Sequence, residues 1–240
     1  MIRVCVLFTG GKDSTYSLYW ALLHGFKVVG LVALTPRSWE SMLFHYPGVS
    51  SGLVDLAAKA IGLPLLKRSV DGDEEESLVK ALLEAKRLFK CEGIVSGALL
   101  SDYQRIRFSL AAEEAGLKSY TPLWRKSQEE YMRSIVMEGF KVMVLSVQAY
   151  GLPENLVGKV LTLSDVEEVI RLSKIYGFNP AFEGGEAETL VVDSPIHRYR
   201  IVVKGERKRV APYHYVFEVT SAWLVDKGSN PILSTSLRTW

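Results

Sequence analysis

Short, wholly apolar runs alternate with longer amphipathic segments from the start of the chain to about Val147. The first run, Val4–Phe8, is typical of a strand covered on both faces, and Tyr16, Tyr19, Trp20 and Leu23 follow it at helical spacing. Because parallel strands are joined by helical crossovers, the alternation predicts an α/β fold with a parallel, doubly wound sheet. Further strands are expected at 28–34, 65–70, 93–99 and 142–147, and helices at 53–61, from 73 onwards and at 102–115.

The pattern changes in the second half of the chain. Ser127–Glu130 and Ser164–Glu167 both have the spacing of a capping box, which predicts two helix starts. Beyond them, alternate positions are apolar at 199–203 and again at 213–219, the period of antiparallel strands in a hairpin or small meander. We therefore expect a first domain at residues 1–122 and a smaller α+β domain at 123–240, with a soft boundary at Thr121-Pro122.

Composition excludes several classes of protein. Lys and Arg number 29 against 27 Asp and Glu, so no global basic field predicts binding to nucleic acid. The two cysteines, Cys5 and Cys91, are too few for a disulfide framework or a paired-cysteine zinc site, and the four histidines lack metal-ligand spacing. No apolar run approaches the roughly 18 residues of a membrane helix. The sequence therefore predicts a cytoplasmic protein without a membrane partner.

The most informative segment lies between the first strand and the first helix and reads Thr9-Gly10-Gly11-Lys12-Asp13-Ser14. A glycine-rich turn at this junction favours anion binding, because backbone N–H groups and the positive end of the helix dipole converge there. The two glycines permit positive φ and close approach of a phosphate, the lysine adds a mobile charge, and the two hydroxyls can donate to phosphate. The aspartate suits a magnesium ligand or an N-terminal cap. A helix that merely begins with a capped glycine turn is the alternative, and neither the Walker A spacing nor G-x-G-x-x-G fits.

A second polar cluster follows the strand predicted at 93–99. Gly97 lies near the carboxyl end of that strand, where ligands bind in open α/β sheets. Just beyond it, Asp102 can cap the next helix, and Gln104 or Arg105 can face a ligand, since an arginine fork suits a carboxylate or a phosphate. A capped surface helix with a solvated arginine is the alternative.

Three carboxylates surround a Gly-Gly turn in the segment Glu183-Gly184-Gly185-Glu186-Ala187-Glu188-Thr189. Glu186 and Glu188 share one face if this part of the chain is extended. Two carboxylates on one face are costly unless they meet a cation. A cationic substrate or ammonium is the favoured occupant, a metal comes second, and a polar loop with solvated acids is the alternative.

Two charged runs have simpler interpretations. The acidic residues of 71–76 stand where a helix is predicted to begin, so they complement its dipole and face water. The basic residues of 198–209 form the outer face of a predicted strand pair. A docking patch for a partner macromolecule is the sharper hypothesis for this second run.

The glycine-rich hexapeptide resembles the S-G-G-x-D-S loop of the N-type ATP pyrophosphatases, with Thr9 in place of the first serine. Those enzymes share an adenine-nucleotide α-hydrolase-like fold and cleave ATP between the α and β phosphates. From Met1 to about Pro195 the chain is similar to the diphthine–ammonia ligase family. The motifs that carry this resemblance are Ser96-Gly97-Ala98, Ser101-Asp102-Tyr103-Gln104-Arg105, Thr121-Pro122-Leu123-Trp124, Ala149-Tyr150-Gly151-Leu152 and Glu183–Leu190.

The resemblance implies an ATP-dependent amide ligase. In this family the diphthine carboxylate of elongation factor 2 becomes an amide, with ammonium as nitrogen donor and release of AMP and pyrophosphate from an acyl-adenylate. The first domain would bind ATP and Mg²⁺, with Asp13 as the metal ligand, and the second would bind the substrate, whose trimethylammonium group is a further candidate cation for the acidic loop. The implied ATP-binding residues are Thr9, Gly10, Gly11, Lys12, Asp13, Ser14 and Gly97. The implied substrate-binding or catalytic residues are Asp102, Gln104, Arg105, Glu183, Gly185, Glu186, Glu188 and Thr189.

Other functions stay open at this point. The same ATP loop serves enzymes that activate another small carboxylic acid and enzymes that modify tRNA, although two isolated cysteines and a near-neutral charge argue against tRNA thiolation. A nucleotide-binding regulator without turnover is the third candidate, but such a regulator would have no use for the acidic loop. A homodimer is left open, and no direct contact with nucleic acid is expected.

Overall fold

The computed structural model describes residues 1–36 and 52–227. They belong to two compact units. The first consists of Met1–Thr9, Asp13–Ala58 and Leu63–Arg125, and the second consists of Gly10–Lys12, Lys59–Gly62 and Lys126–Trp240, within the described ranges. Two short stretches thus lie inside the first unit in sequence but pack with the second.

The first unit contains a five-stranded parallel sheet in the order β3-β2-β1-β4-β5. Val4 of the central strand pairs with Val28 on one side and Gly93 on the other. Its elements are β1 (Arg3–Leu7), α1 (Lys12–Leu23), β2 (Lys27–Thr35), α2 (Leu53–Ile61), β3 (Leu65–Ser69), α3 (Glu74–Phe89), β4 (Gly93–Val95), α4 (Asp102–Glu114) and β5 (Lys118–Tyr120). The predicted parallel, doubly wound α/β fold is confirmed.

The strand order places a topological switch point at the centre of the sheet. The chain winds from β1 outwards through β2 to β3, then returns to the other side of β1 to form β4 and β5. Ligands bind at such a point, beyond the carboxyl ends of the strands. The segments that follow β1 and β4 therefore start at the same edge of the sheet. Helices α3 and α4 pack on one face, in a core that includes Leu78, Leu82 and Ala112.

The second unit contains a four-stranded antiparallel sheet in the order β7-β6-β9-β8. Its elements are α5 (Gln128–Met137), β6 (Lys141–Val147), α6 (Leu163–Tyr176), β7 (Ala187–Asp193), β8 (Tyr199–Ala211) and β9 (His214–Asp226), with a short 3-10 turn at Glu154–Leu156. The period-two pattern at 199–219 is thus a long β8–β9 hairpin, as expected. Buried side chains such as Met132, Phe140 and Val166 form the core of this unit.

Three local predictions are wrong in detail. Thr162, rather than Ser164, caps α6, because Thr162 and Asp165 form the reciprocal capping box while the Glu167 carboxylate pairs with Arg133 at 2.7 Å. The hydroxyl of Ser101, rather than Asp102, caps α4 by accepting from the Gln104 N–H at 3.2 Å. The strand expected at 93–99 ends at Val95.

The apolar face predicted for α1, which ended at Leu23, also needs correction. Leu23 is 65% exposed, whereas Leu18 and the hydroxyl residues Thr15 and Ser17 are completely buried. The first turns of this helix are enclosed nearly all round, so small residues occupy its tightest positions. A search for large apolar side chains at helical spacing does not detect such a surface.

Among the described residues, no helix combines the length and apolar character needed to cross a membrane.

Candidate nucleotide and substrate site

The segment Thr9–Ser14 turns directly from β1 into α1, which begins at Lys12. Gly10 has φ of +81°, a left-handed conformation that glycine adopts without steric penalty, so the expected positive φ is confirmed at this glycine. The Thr9 N–H donates to the Ser14 hydroxyl at 3.2 Å, and the two side-chain hydroxyls lie 3.1 Å apart. These bonds close the loop over the start of α1, where the helix dipole is positive.

Gly97 contacts the start of α1 in the first unit. A Cβ atom at Gly97 would lie 2.8 Å from the carbonyl carbon of Asp13 and 2.9 Å from the Ser14 nitrogen, both rigid backbone atoms. Any larger residue would push the chain after β4 away from the loop after β1. The glycine thus lets the two segments at the switch point come together.

The arginine of the second cluster is held by its neighbours within the first unit. Arg105 Nη2 lies 3.0 Å from Asp102 Oδ1, and its guanidinium carbon lies 4.6 Å from the centroid of the Trp124 ring. Arg125, which has φ of +57°, lies on the same ring at 5.7 Å. The fork of Arg105 is therefore oriented on an aromatic face and remains one-third exposed, so it is not the fully solvated arginine of the alternative interpretation.

The middle of the glycine-rich loop is bonded to β7 of the second unit. The Val191 N–H donates to the Gly10 carbonyl at 2.9 Å, and the Lys12 N–H donates to the Thr189 hydroxyl at 3.2 Å. Thr189, expected to face the substrate, thus also supports the loop main chain. Sequence spacing gave no sign of this link, because Lys12 and Thr189 lie 177 positions apart.

Lys12 was expected to be a mobile charge, but its residue is only 2% exposed. Its Nζ atom lies 5.9 Å from the centroid of the Tyr131 ring and 5.8 Å from that of Phe182. Both distances are within the range of cation–π attraction. The two rings therefore hold the ammonium group in a defined position, which is the correction that the structure makes to the sequence interpretation.

Phe182 has a strained backbone, with φ of +64°. A left-handed conformation costs a bulky residue roughly 1–2 kcal/mol, and strain of this kind is concentrated at functional sites. The Phe182 ring is nevertheless buried against Lys12. Sequence analysis missed both aromatic residues, since a phenylalanine before an acidic turn has no motif of its own.

The Glu183–Glu188 loop is organised by Glu186. One oxygen of its carboxylate accepts from the Asn179 N–H at 2.9 Å, and the other accepts from the Gly184 N–H at 2.8 Å. Across the loop, the side-chain amide of Gln148 donates to the Gly185 carbonyl at 2.6 Å. The structure thus uses Glu186 to shape its own loop, rather than to form the expected pair of carboxylates on one strand face.

Glu188 has a raised pKa because of its surroundings. It lies in β7 opposite Ser146 of β6 and next to Thr189, which holds the Lys12 main chain. Burial raises the pKa of Glu188 from 4.5 to about 7. A carboxyl group with this pKa exchanges a proton near neutral pH, which is the property of a general base or acid.

The acidic run fits its predicted place at the start of a helix. Asp73 caps α3, and the three glutamates that follow lie in its first turn. On the hairpin, Arg207 lies 3.9 Å from Glu154, Lys208 pairs with Glu218, and Lys204 lies over the Trp223 ring.

No group of three or more His, Cys, Asp or Glu residues suited to a metal exists within residues 1–36 and 52–227. Asp13, in the first turn of α1, is the loop carboxylate that could hold Mg²⁺, an ion that often takes only one or two protein carboxylates.

Comparison with known proteins decides the family. The model of the diphthamide synthase N-terminal domain matches residues 2–119, and that of the C-terminal domain matches residues 127–232. The diphthine–ammonia ligase of Homo sapiens is 35% identical over 84% of this chain and 83% of its own, and that of Danio rerio is 33% identical over 84% and 86%. The chain belongs to the diphthine–ammonia ligase family. The resemblance derived from the motifs is confirmed.

Two further similarities are found. The ligase of Schizosaccharomyces pombe is 32% identical over 84% of this chain, which corresponds to 36% of that longer protein. Among solved structures, a predicted subunit of a tRNA methyltransferase from Methanocaldococcus jannaschii aligns with a TM-score of 0.40 and 17% identity, over 81% of this chain and 98% of that one. As a member of this family, the chain is expected to be an ATP-dependent ligase.

Proposed function

We propose that this protein is the amide ligase that converts the diphthine carboxylate of elongation factor 2 to diphthamide, with ATP and ammonium. The observation that carries the proposal is the Thr9–Ser14 loop at the switch point of the sheet, in a chain that is 35% identical to a diphthine–ammonia ligase. Residues 1–122 act as the nucleotide-binding domain and 123–240 as the substrate-binding domain.

The chemistry begins at the α-phosphorus of ATP. A carboxylate oxygen of diphthine attacks this atom, the bond to the bridging oxygen of the β-phosphate breaks, and pyrophosphate leaves. The product is an acyl-adenylate, which is needed because a free carboxylate is a poor electrophile. Ammonia then attacks the acyl carbon, and AMP leaves as the amide forms.

The loop residues serve the first step by position and charge. The Gly10 turn and the positive end of α1 receive the phosphates, with Gly11, Thr9 and Ser14 lining the loop. Lys12, already desolvated between two rings, stabilises the negative charge that grows on the departing pyrophosphate. Asp13 would hold Mg²⁺, whose charge neutralises the phosphates. Arg105, with Asp102 and Gln104 on the same helix, orients the carboxylate or the α-phosphate.

Glu188 serves the second step. With a pKa of about 7, its carboxylate accepts a proton that ammonium must lose before nitrogen can attack. Glu186 and Gly185 keep the loop in shape beside it, and Glu183 adds negative charge that favours a cation.

The test is product analysis. Purified protein is incubated with Mg²⁺, radiolabelled ATP, ammonium and diphthine-bearing elongation factor 2, with separate arms that contain small carboxylic acids or tRNA as acceptor. We expect AMP and pyrophosphate only with diphthine-bearing elongation factor 2, and ADP as product would overturn the mechanism. Asp13→Asn should abolish Mg²⁺-dependent pyrophosphate release in a folded protein, and near-normal turnover would remove Asp13 from the metal site.

The basic face of the hairpin is proposed as the docking surface for elongation factor 2. Lys204 and Arg209 are exposed, and lie over exposed or half-buried rings of β9 rather than in the core. Charge reversal of both should raise the KM for elongation factor 2 and leave the KM for ATP unchanged. Unchanged kinetics would show that the basic face is only a solvated strand surface.

A further inference from the structure

Helix α4 of the first unit has two apolar faces. Phe108 and Ala111 are buried in the core of that unit. Tyr103, Ile106 and Leu110 follow one another at i, i+3 and i+7, and they are 36%, 44% and 55% exposed. Because each residue advances an α-helix by about 100°, these three side chains form one row, nearly opposite the buried face. We call Tyr103, Ile106 and Leu110 the outer stripe of α4.

The outer stripe differs from the scattered apolar residues of an ordinary protein surface. Its members are neighbours along one side of the helix. Leu100, which directly precedes the Ser101 cap, adds another apolar side chain that is 37% exposed. A single exposed leucine needs no explanation, whereas contiguous apolar side chains in contact with water indicate a surface that a partner covers. The outer stripe is therefore a candidate contact surface.

One border of the stripe is organised by Arg107. Its guanidinium carbon lies 3.5 Å from the centroid of the Tyr103 ring, and its Nε atom donates to Glu75 of α3 at 2.5 Å. The ring is thus held in place before a partner binds, which lowers the entropic cost of association. In the described part of the chain this guanidinium makes no other hydrogen bond or ion pair, so its two Nη groups remain able to donate.

The complementary charge lies at the other end of the same helix. Glu114 is exposed, and it pairs with no basic side chain within residues 1–36 and 52–227. It follows Arg107 by seven residues, which is close to two helical turns, so both side chains border the stripe on the same side. When two copies of a helix pair antiparallel across a two-fold axis, these borders face each other, and the arginine of each copy meets the glutamate of the other.

The spacing of the stripe fits such a pair. With the two-fold axis near position 108, Ile106 of each copy lies against Leu110 of the other. Glu114 of the second copy then lies within about one residue, or 1.5 Å along the axis, of the level of Tyr103. The Arg107 guanidinium is held above that same ring. The apolar contacts and the charge contacts therefore form in one register.

We propose that the outer stripe is the contact between two copies of this chain, which pair antiparallel through α4. A second copy satisfies the whole surface, because it brings an apolar row to the apolar row and a carboxylate to each guanidinium. A parallel pair would place Glu114 against Glu114 of the second copy, and like charges at that distance repel. One helix pair makes a small interface, so we expect a reversible dimer whose population rises with protein concentration.

The test is sedimentation velocity of the full-length protein over a wide range of concentration. The wild type should shift from monomer to dimer as its concentration rises. Ile106→Glu and Leu110→Glu should each raise the dissociation constant at least about 10-fold, since each change removes an apolar contact that occurs twice in the dimer. Leu88→Glu is the matched control, because this leucine of α3 is 52% exposed in the same unit but lies outside the stripe. A wild type that stays monomeric throughout, or stripe variants that dimerise as the control does, would overturn the proposal.

The antiparallel register has its own test. Glu114→Lys places a cation beside Arg107 of the second copy, so it should weaken the dimer at low salt, and added salt should bring the variant towards the wild type because it screens the repulsion. A dimer of Glu114→Lys that is as strong as that of the wild type at low salt would refute this register. Far-UV circular dichroism checks that each exposed substitution leaves the fold intact. No substrate is present, so the result is independent of the proposed ligase activity.

Discussion

Replacing Glu188 with glutamine tests the proton affinity on which the second chemical step depends. Burial raises the pKa of Glu188 from 4.5 to about 7, so the folded protein binds this proton more tightly than the unfolded chain. The contribution of Glu188 to stability is therefore complete below pH 4.5 and is lost as the pH rises to about 7. At about 1.4 kcal/mol for each pKa unit, the ionised carboxylate destabilises the fold by at most about 3 kcal/mol above that window.

The assay is urea unfolding of the wild type and Glu188→Gln between pH 4.5 and pH 8. Glutamine keeps the shape and cannot ionise, so the stability of the variant relative to the wild type should increase across this window by up to about 3 kcal/mol. Glu114→Gln, at an exposed glutamate at the end of α4, is the matched control for the loss of one carboxylate. A difference for Glu188→Gln that stays constant across the window would refute the perturbed pKa. In the ligase assay, the same variant should bind ATP normally and form amide slowly.

Two other substitutions examine the remaining buried groups. Phe182→Leu should raise the KM for ATP by about 2- to 30-fold, because it removes one of the two rings that hold the Lys12 ammonium. Phe182→Tyr, which keeps a ring, should have a KM for ATP near that of the wild type. Equal KM values in all three proteins would show that the ring does not position Lys12. Burial lowers the pKa of His197 from 6.5 to about 4, so its contribution to stability is present above pH 6.5 and is lost as the pH falls towards 4. In urea unfolding, the advantage of the wild type over His197→Gln should therefore shrink across that range, and an advantage that grows on acidification would contradict a neutral buried imidazole.

Much of the fold follows from local patterns. The continuous apolar run of β1, the stripe of Leu78, Leu82 and Ala85 on α3, and the alternation on β8 are each typical of their elements, and the structure has all three. The start of α6 is harder to predict. The Ser164–Glu167 spacing predicts a cap at Ser164, but Thr162 and Asp165 form the reciprocal bonds, and the Glu167 carboxylate pairs with Arg133 instead.

The candidate site divides in the same way. The glycines, hydroxyls and charges of Thr9–Ser14 predict an anion site at a strand–helix junction, because that chemistry depends on neighbours in sequence. Sequence could not show that Lys12 is buried between Tyr131 and Phe182, since those residues are far away along the chain and carry no motif. It also could not separate the tasks of Glu186 and Glu188, which differ only in what surrounds them.

The parallel α/β architecture and the position of the glycine-rich loop follow from the amino-acid sequence alone, because hydrophobic period and turn chemistry act over short stretches of chain. The resemblance to the family likewise rests on short ordered motifs. Which carboxylate has its proton affinity raised, and which rings surround the lysine ammonium, depends on the tertiary structure. Those properties depend on burial and on contacts between distant residues, and they exist only once the chain has folded.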